Sequence, residues 1–176
     1  ELPASRGKIF DRNGVVLASS LPARAVWAAP EQVEATPEQL ARLARLLGMR
    51  ESELSRRLAD NDRSFVYLKR QVEPDVAEQV ARLDITGVHQ QREYKRHYPE
   101  GETIAHVIGF TNVEDVGQEG VELAKNAVLS GQAGSRRVIR DRLGRVVEDV
   151  GATREPHHGS DLALSIDSKV QYLAFN

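Results

Sequence analysis

The sequence predicts an α+β fold in which β-hairpins from both chain ends join in one sheet, with a helix-rich lobe protruding between them. Two observations carry that expectation. One device occurs twice: Asp11-Arg12-Asn13-Gly14 and Asp141-Arg142-Leu143-Gly144 each lie between short runs of β-compatible residues. Between them, proline-opened segments place apolar side chains at helical spacing. Short connections within a sheet would bring the two hairpins together. At 176 residues the chain can bury a sizeable core within one domain or two closely joined lobes.

Taken in order, Ile9-Phe10-Asp11-Arg12-Asn13-Gly14-Val15-Val16-Leu17 places Asn-Gly between two β-runs, which predicts a hairpin with a type I′ turn. A short strand follows over 26–29 and is closed by Pro30. Thr36-Pro37-Glu38-Gln39 has the form of a capping box with proline at the first helical position. Leu40, Leu43, Leu46 and Leu47 then continue at helical spacing as far as Gly48. A second short helix carries Leu54 and Leu58, and Phe65-Val66-Tyr67-Leu68 reads as a strand. Pro74 opens a third helix on which Val76, Val80 and Leu83 share a face. Over 87–98 an extended segment places Val88, Tyr94 and Tyr98 on one face and His89, Gln91, Glu93, Lys95 and His97 on the other. So polar a strand is expected at a sheet edge. Arg92, Tyr94 and Lys95 are its candidate partner-binding residues, because tyrosine and arginine are enriched at contact centres and an open edge can accept a partner.

The densest run of special residues is 94–122. Pro99 ends the extended segment and sets up a turn. Ile104, Val107 and Ile108 fall on one helical face near His106, and Gly109 is placed for a left-handed C-terminal cap. Gly117 and Gly120 bracket another tight turn, with Glu122 in the first turn of the next element, where a carboxylate suits the positive end of a helix dipole. Arg, Asp and Glu beside glycines at separate turns predict that Arg6 and Glu122 meet as a partly buried ion pair, with Arg96 or His106 nearby, since a desolvated charge needs a partner. Beyond turn-forming residues at 129–134, residues 136–150 read as the second hairpin and 153–160 as linker. The chain closes with an alternating strand over 161–167 and a helix that Asp167 or Ser168 caps.

Composition excludes several functions. The net charge of −2, with both signs well mixed, creates no field that draws the chain to nucleic acid or an anionic membrane. The absence of cysteine rules out thiol catalysis, disulfides and cysteine-ligated zinc. Ser5-Arg6-Gly7-Lys8 spells S-x-x-K, but that chemistry needs a helical turn, and neither S-x-N nor K-[ST]-G is found after it. His157-His158 beside Glu155 lacks a third ligand at metal spacing. The arginines at 136, 137, 140, 142 and 145 are interleaved with acids and lack stacking aromatics, so a nucleic-acid role for that hairpin is not supported. No cofactor motif is present. An independent ligand-binding groove around Arg96, Tyr98 and His106 stays open as an alternative. With Glu1 rather than Met as its first residue, the chain reads as a cut fragment of a longer protein.

Four ordered motifs carry a resemblance. Arg6-Gly7-Lys8-Ile9-Phe10-Asp11-Arg12-Asn13-Gly14 has the form R-G-x-I-x-D-R-N-G, and Arg96-His97-Tyr98-Pro99 has the form R-x-Y-P. Gly117-Gln118-Glu119-Gly120-Val121-Glu122 matches G-x-x-G-x-E, and Asp141-Arg142-Leu143-Gly144-Arg145 matches D-R-x-G-R. With them the chain resembles the non-catalytic N-terminal, or pedestal, module of class B penicillin-binding proteins, most of all the division-type septal peptidoglycan D,D-transpeptidase of Gram-negative bacteria. The elongation type shares the first three motifs.

The resemblance implies a structural role for the motif residues, His106 and Gly109 included. Residues 1–160 form the module and 161–176 the lead-in to a transpeptidase domain. It also implies a parent enzyme anchored by one upstream helix at the periplasmic face of the inner membrane. The implied partners are its own transpeptidase domain, a septal glycosyltransferase and other division proteins. One departure from the family pattern is visible: Lys125 and Asn126 stand where an aromatic and an acidic residue are usual.

Overall fold

The computed structural model of the chain describes residues 2–60, 62–140 and 146–175, with side chains described outside 136–140, 146–153 and 175. The fold is α+β, as the sequence predicts, and divides into two compact units. The first comprises Glu1–Leu21, Tyr94–Arg136 and Ala152–Asn176, and the second Pro22–Glu93 and Arg137–Gly151.

In the first unit, strand β1 (Ile9–Phe10) pairs antiparallel with the start of β2 (Val16–Ala28), Ile9 opposite Ala18 and Phe10 opposite Val16. The hairpin forms, but not through a type I′ turn: Gly14 has φ +83°, whereas Asn13 does not take the positive φ that a type I′ turn requires. Asp11 is the reason. Its carboxylate Oδ1 accepts the N–H groups of Asn13 and Val15, both at 2.8 Å, and this side-chain turn replaces the two-residue one. The other edge of β1 pairs in parallel with β7 (Leu162–Ala163).

Both edges of β1 are therefore occupied, which corrects the expected topology. The chain ends do meet, but through β1 and β7. The second hairpin, β5 (Ser135–Arg140) with β6 (Val146–Arg154), forms a separate two-stranded sheet. Its turn residues Asp141, Arg142 and Gly144 lie outside the described residues.

The first unit packs around Ile9, Leu17, Ala18, Ile104, Ile108 and Leu129. A 3-10 helix (Gly101–Ile104) runs into α4 (Ala105–Ile108), and α5 (Gly120–Ala124) and α6 (Asn126–Leu129) follow. Helices of one turn have no stability of their own, so packing holds them. Gly109 succeeds α4 with φ 78° and ψ −151°, a region open essentially to glycine alone and not the left-handed cap expected. The backbone crossing explains it: a Cβ on Gly109 would lie 1.9 Å from the Glu119 carbonyl oxygen, and one on Gly120 2.5 Å from that of Val107.

In the second unit, the later part of β2 pairs antiparallel with β3 (Val66–Val72), from Arg24 opposite Val72 to Ala28 opposite Val66. The strand expected over 26–29 is thus the end of one 13-residue strand. Proline is a strand breaker by rule, yet Pro22 lies within β2, where it is exposed. α1 (Pro37–Leu46) begins with the complete Thr36/Gln39 capping box, the Thr36 Oγ1 accepting from Gln39 N–H and the Gln39 side chain accepting from Thr36 N–H. α2 (Glu51–Leu58) and α3 (Pro74–Arg82) follow the predicted periodicity. Their apolar faces join Val26, Ala28 and Leu68 around Leu43, Leu54 and Val80 in a second core. Strand β4 (Val88–His97) pairs with β2 alone among the described strands and is an edge.

The Gly109 crossing sets a test. Gly109→Ala should cost at least ~2 kcal/mol in urea unfolding, from backbone strain plus the clash. Gly48→Ala, where φ is also positive (+66°) but no atom lies within 4 Å of the new methyl, should cost only ~1 kcal/mol.

Candidate functional site

Glu122 is the centre of the motif residues. It lies near the start of α5, is fully buried, and has its four carboxylate acceptor positions filled. Oε1 accepts from Arg6 Nε at 3.0 Å and Arg96 Nη2 at 3.1 Å, and Oε2 from Arg96 Nε at 2.8 Å and the Tyr98 hydroxyl at 2.8 Å. Each arginine then reaches further. Arg6 Nη2 donates to the Glu122 carbonyl at 2.7 Å, and its Nη1 to Asn126 Oδ1 at 2.7 Å, Ser130 Oγ at 3.1 Å and the Asp115 carbonyl at 3.3 Å. Arg96 Nη1 donates to Ser20 Oγ at 3.0 Å and Nη2 to the Gly7 carbonyl at 2.7 Å. Arg6 and Arg96 are themselves buried.

Local structure places each member. Arg6 precedes β1, Arg96 is the penultimate residue of the edge strand β4 and is buried, and Tyr98 comes directly after that strand. Gly7 lets the first segment approach: a Cβ there would lie 1.9 Å from the Ser160 carbonyl oxygen. Burial by itself raises the Glu122 carboxyl, but the hydrogen bonds and charge of Arg96, with Tyr98 and Arg6, outweigh it and hold the group below the usual carboxylate range. Burial, with the bond to Glu122 and its charge, pushes the Tyr98 phenol well up. Asp115 goes the other way from Glu122: burial raises its carboxyl despite both arginines, and its Oδ1 accepts no hydrogen bond among the described residues.

A second buried carboxylate, Asp11, accepts from the N–H and hydroxyl of Ser168 besides its own turn. Burial raises it, yet these hydrogen bonds prevail and bring it down to about 2.

The expected Arg6–Glu122 contact thus exists, with Arg96 and not His106 as third member; His106 is exposed on α4. Arg12, Asn13 and Pro99 do not join the cluster, and Gly7, Gly109, Gly117 and Gly120 are points of close backbone approach. Arg92 and Lys95 lie on β4 with Tyr94, which is half-buried. Ser20, Asp115 and Ser130 carry no sequence signal that marks them as members. Asn126 accepts from Arg6, from the Gly117 N–H at 3.0 Å and from Ser130 Oγ at 3.2 Å, while Lys125 faces solvent. Ser5 and Lys8 lie outside any helix, and Ser5 Oγ donates to its neighbour's carbonyl at 3.4 Å. His158 Nδ1 accepts from Ser5 N–H, and no group of three metal-ligating side chains occurs among the described residues. Nor is any helix among them long and apolar enough to cross a membrane.

The geometry predicts coupled stabilities. Glu122→Ala should cost about 3–5 kcal/mol, because it strands two buried guanidinium groups, and Arg6→Ala less, because Glu122 keeps Arg96 and Tyr98. The double variant should fall short of their sum by roughly 0.5–3 kcal/mol in the same urea titrations. Acid should act through the same groups. Folded Glu122 and Asp11 both lie below their unfolded values, so their stabilisation is complete above about pH 5 and is lost as pH falls, for Asp11 between about 4 and 2. Asp11→Asn should flatten that part of the unfolding midpoint's dependence on pH.

The profile of the family described as Penicillin-binding Protein dimerisation domain matches residues 1–164. The chain is 42% identical over 178 residues to the probable peptidoglycan D,D-transpeptidase PenA of Neisseria meningitidis serogroup A, covering 99% of this chain and 31% of that protein. It is also 42% identical over 181 residues to the peptidoglycan D,D-transpeptidase FtsI of Escherichia coli strain K12, with the same coverage. The chain therefore spans about a third of the length of these relatives. Among solved structures it is similar to the complex between Penicillin-Binding Protein PBP2 and MreC from Helicobacter pylori, with TM-score 0.69 and 19% identity over 99% of this chain and 37% of that one. On the family match over nearly its whole length, this chain belongs to the penicillin-binding protein dimerisation domain family.

Proposed function

We propose that the chain is the positioning and protein-interaction module of a septal peptidoglycan D,D-transpeptidase acting in cell division and cell-wall synthesis, with no chemistry of its own. The observation that carries this reading is where the motif residues spend their polar atoms. Arg6, Arg96, Tyr98 and Glu122 bind one another away from solvent, so they hold the fold, and the surface is what remains for function.

The relatives named as D,D-transpeptidases support such a parent, penicillin-sensitive and about three times as long as this chain. Under this reading residues 1–160 form the module and 161–176 lead into the transpeptidase domain. A helix upstream of Glu1 anchors the parent at the periplasmic face of the inner membrane. The partners are the transpeptidase domain itself, a septal glycosyltransferase and other division proteins. The likeness to a PBP2 solved with MreC supports partner binding on this fold and keeps the elongation type as the alternative, which 42% identity to FtsI against 19% to PBP2 disfavours.

The outward side chains of β4 are the proposed contact surface. Arg92→Glu and Lys95→Glu should leave penicillin acylation of the full-length parent intact and weaken its co-purification with division proteins. Loss of acylation with association unchanged would assign the strand to the catalytic domain instead. The chain alone should form no covalent adduct with a fluorescent penicillin, and a labelled band that disappears in Ser5→Ala would refute the non-catalytic reading.

A further inference from the structure

The last helix of the first unit, α7 (Ser168–Phe175), begins on two aspartates from opposite ends of the sequence. The first N–H groups of a helix have no partner within it and must be satisfied from outside. Here Asp167 Oδ1 accepts those of Lys169 at 3.0 Å and Val170 at 3.3 Å, while Gln171 makes the first intrahelical bond, to the Asp167 carbonyl at 2.9 Å. The remaining one, Ser168, goes to Asp11 Oδ2 at 3.0 Å, and the Ser168 hydroxyl donates to the same oxygen at 2.9 Å.

Asp11 is only 1% exposed, and its other oxygen fixes the β1–β2 turn, so its position is set by the body of the unit and not by the helix it holds. Neighbours tighten the grip: Arg12 N–H donates to the Ile166 carbonyl at 2.8 Å and Asn13 Nδ2 to Asp167 Oδ2 at 3.2 Å. On the other side α7 packs against the 3-10 helix Gly101–Ile104. A largely exposed helix of eight residues that starts soon after a two-residue strand depends on such contacts for its direction.

We propose that Asp11 is a positioning residue: by gripping Ser168 it sets the direction in which the chain leaves the module along α7, and so the orientation of the domain beyond it. The second clause rests on the reading of the parent as a transpeptidase with its catalytic domain downstream. Two negative charges at the start of α7 also suit the positive end of its dipole, which favours the gripped arrangement over a swung one.

Two measurements separate the inference from that reading. The first uses the chain of 176 residues and hydrogen exchange. In Asp11→Ala, and in the milder Ser168→Ala that removes only the hydroxyl bond, the α7 amides from Lys169 to Gln171 should exchange about tenfold faster or more. Amides of the Ile9 and Leu129 core should keep their protection in Ser168→Ala. Unchanged α7 exchange in both variants would overturn the grip. The second uses the full-length parent with its own cysteines removed and a donor dye on Lys125→Cys. A fluorescent penicillin on the catalytic serine serves as acceptor. Wild type should give one narrow distance distribution, and both variants a broadened or shifted one, with acylation rates within about twofold of wild type. Identical distributions would overturn the positioning role. A wild-type parent that penicillin does not label would overturn the transpeptidase reading, leaving the grip to be decided by exchange.

Discussion

A carboxylate cannot be taken wholly out of water unless its charge is met, and Glu122 is taken wholly out of water. The cost of burying that ion is several kcal/mol after relaxation, and it is offset only because two guanidinium groups and a phenol fill all its acceptor positions with good geometry. The two guanidinium groups come from segments 116 and 26 residues away in sequence. The Arg6 segment, the end of β4 and the start of α5 must therefore converge together. A well-packed apolar cluster could hold the same volume at equal or lower free energy. What the ionic cluster adds is discrimination: a shifted register of β4 would leave Arg96 or Glu122 buried and unmatched, a state far less favourable than a slipped apolar contact.

Charge balance in this cluster is uneven. Two buried arginines face one carboxylate in Glu122, and the position after Lys125 carries a neutral amide. Asn126 still supplies what the geometry demands, an acceptor that Arg6, the Gly117 N–H and the Ser130 hydroxyl can share. The second acidic group nearby is Asp115, attracted by both arginines but opposed by its own burial and by Glu122. Hydrogen-bond capacity, more than formal charge, is what the segment between Gly117 and Ser130 provides in this chain.

The second unit works by a different rule. Its core is aliphatic and its helices meet β2 and β3 through leucine and valine faces, the arrangement that amphipathic periodicity specifies directly. Polar groups stay at the margins, where Trp27 stacks on Phe65 at 4.7 Å and meets a tilted His89 ring at 4.5 Å, and the Arg70 guanidinium lies 4.3 Å from the Tyr67 ring centre. Cation and aromatic contacts of this marginal kind are worth about 0.5–1 kcal/mol each and trim the surface without setting the fold.

By itself the sequence determined the α+β class, the helices opened by Pro37 and Pro74, the Thr36 capping box, the edge character of β4 and the meeting of Arg6 with Glu122. These rest on local rules, side-chain period and capping geometry, or on the need of a buried charge for an opposite one. The tertiary structure decided what no local rule reaches. Asp11, whose Oδ1 builds the DRNG turn from local N–H groups, turns its other oxygen to Ser168, 157 residues away. Gly109 leaves the left-handed region because the backbone of Glu119 passes against it. The two hairpins lie in separate sheets, β1 pairing with β2 and with β7 from the chain's end, and β5 with β6. At Gly109 and along β1 the deciding segment is not a neighbour in sequence, and its arrival changes which of several locally allowed conformations has the lowest free energy.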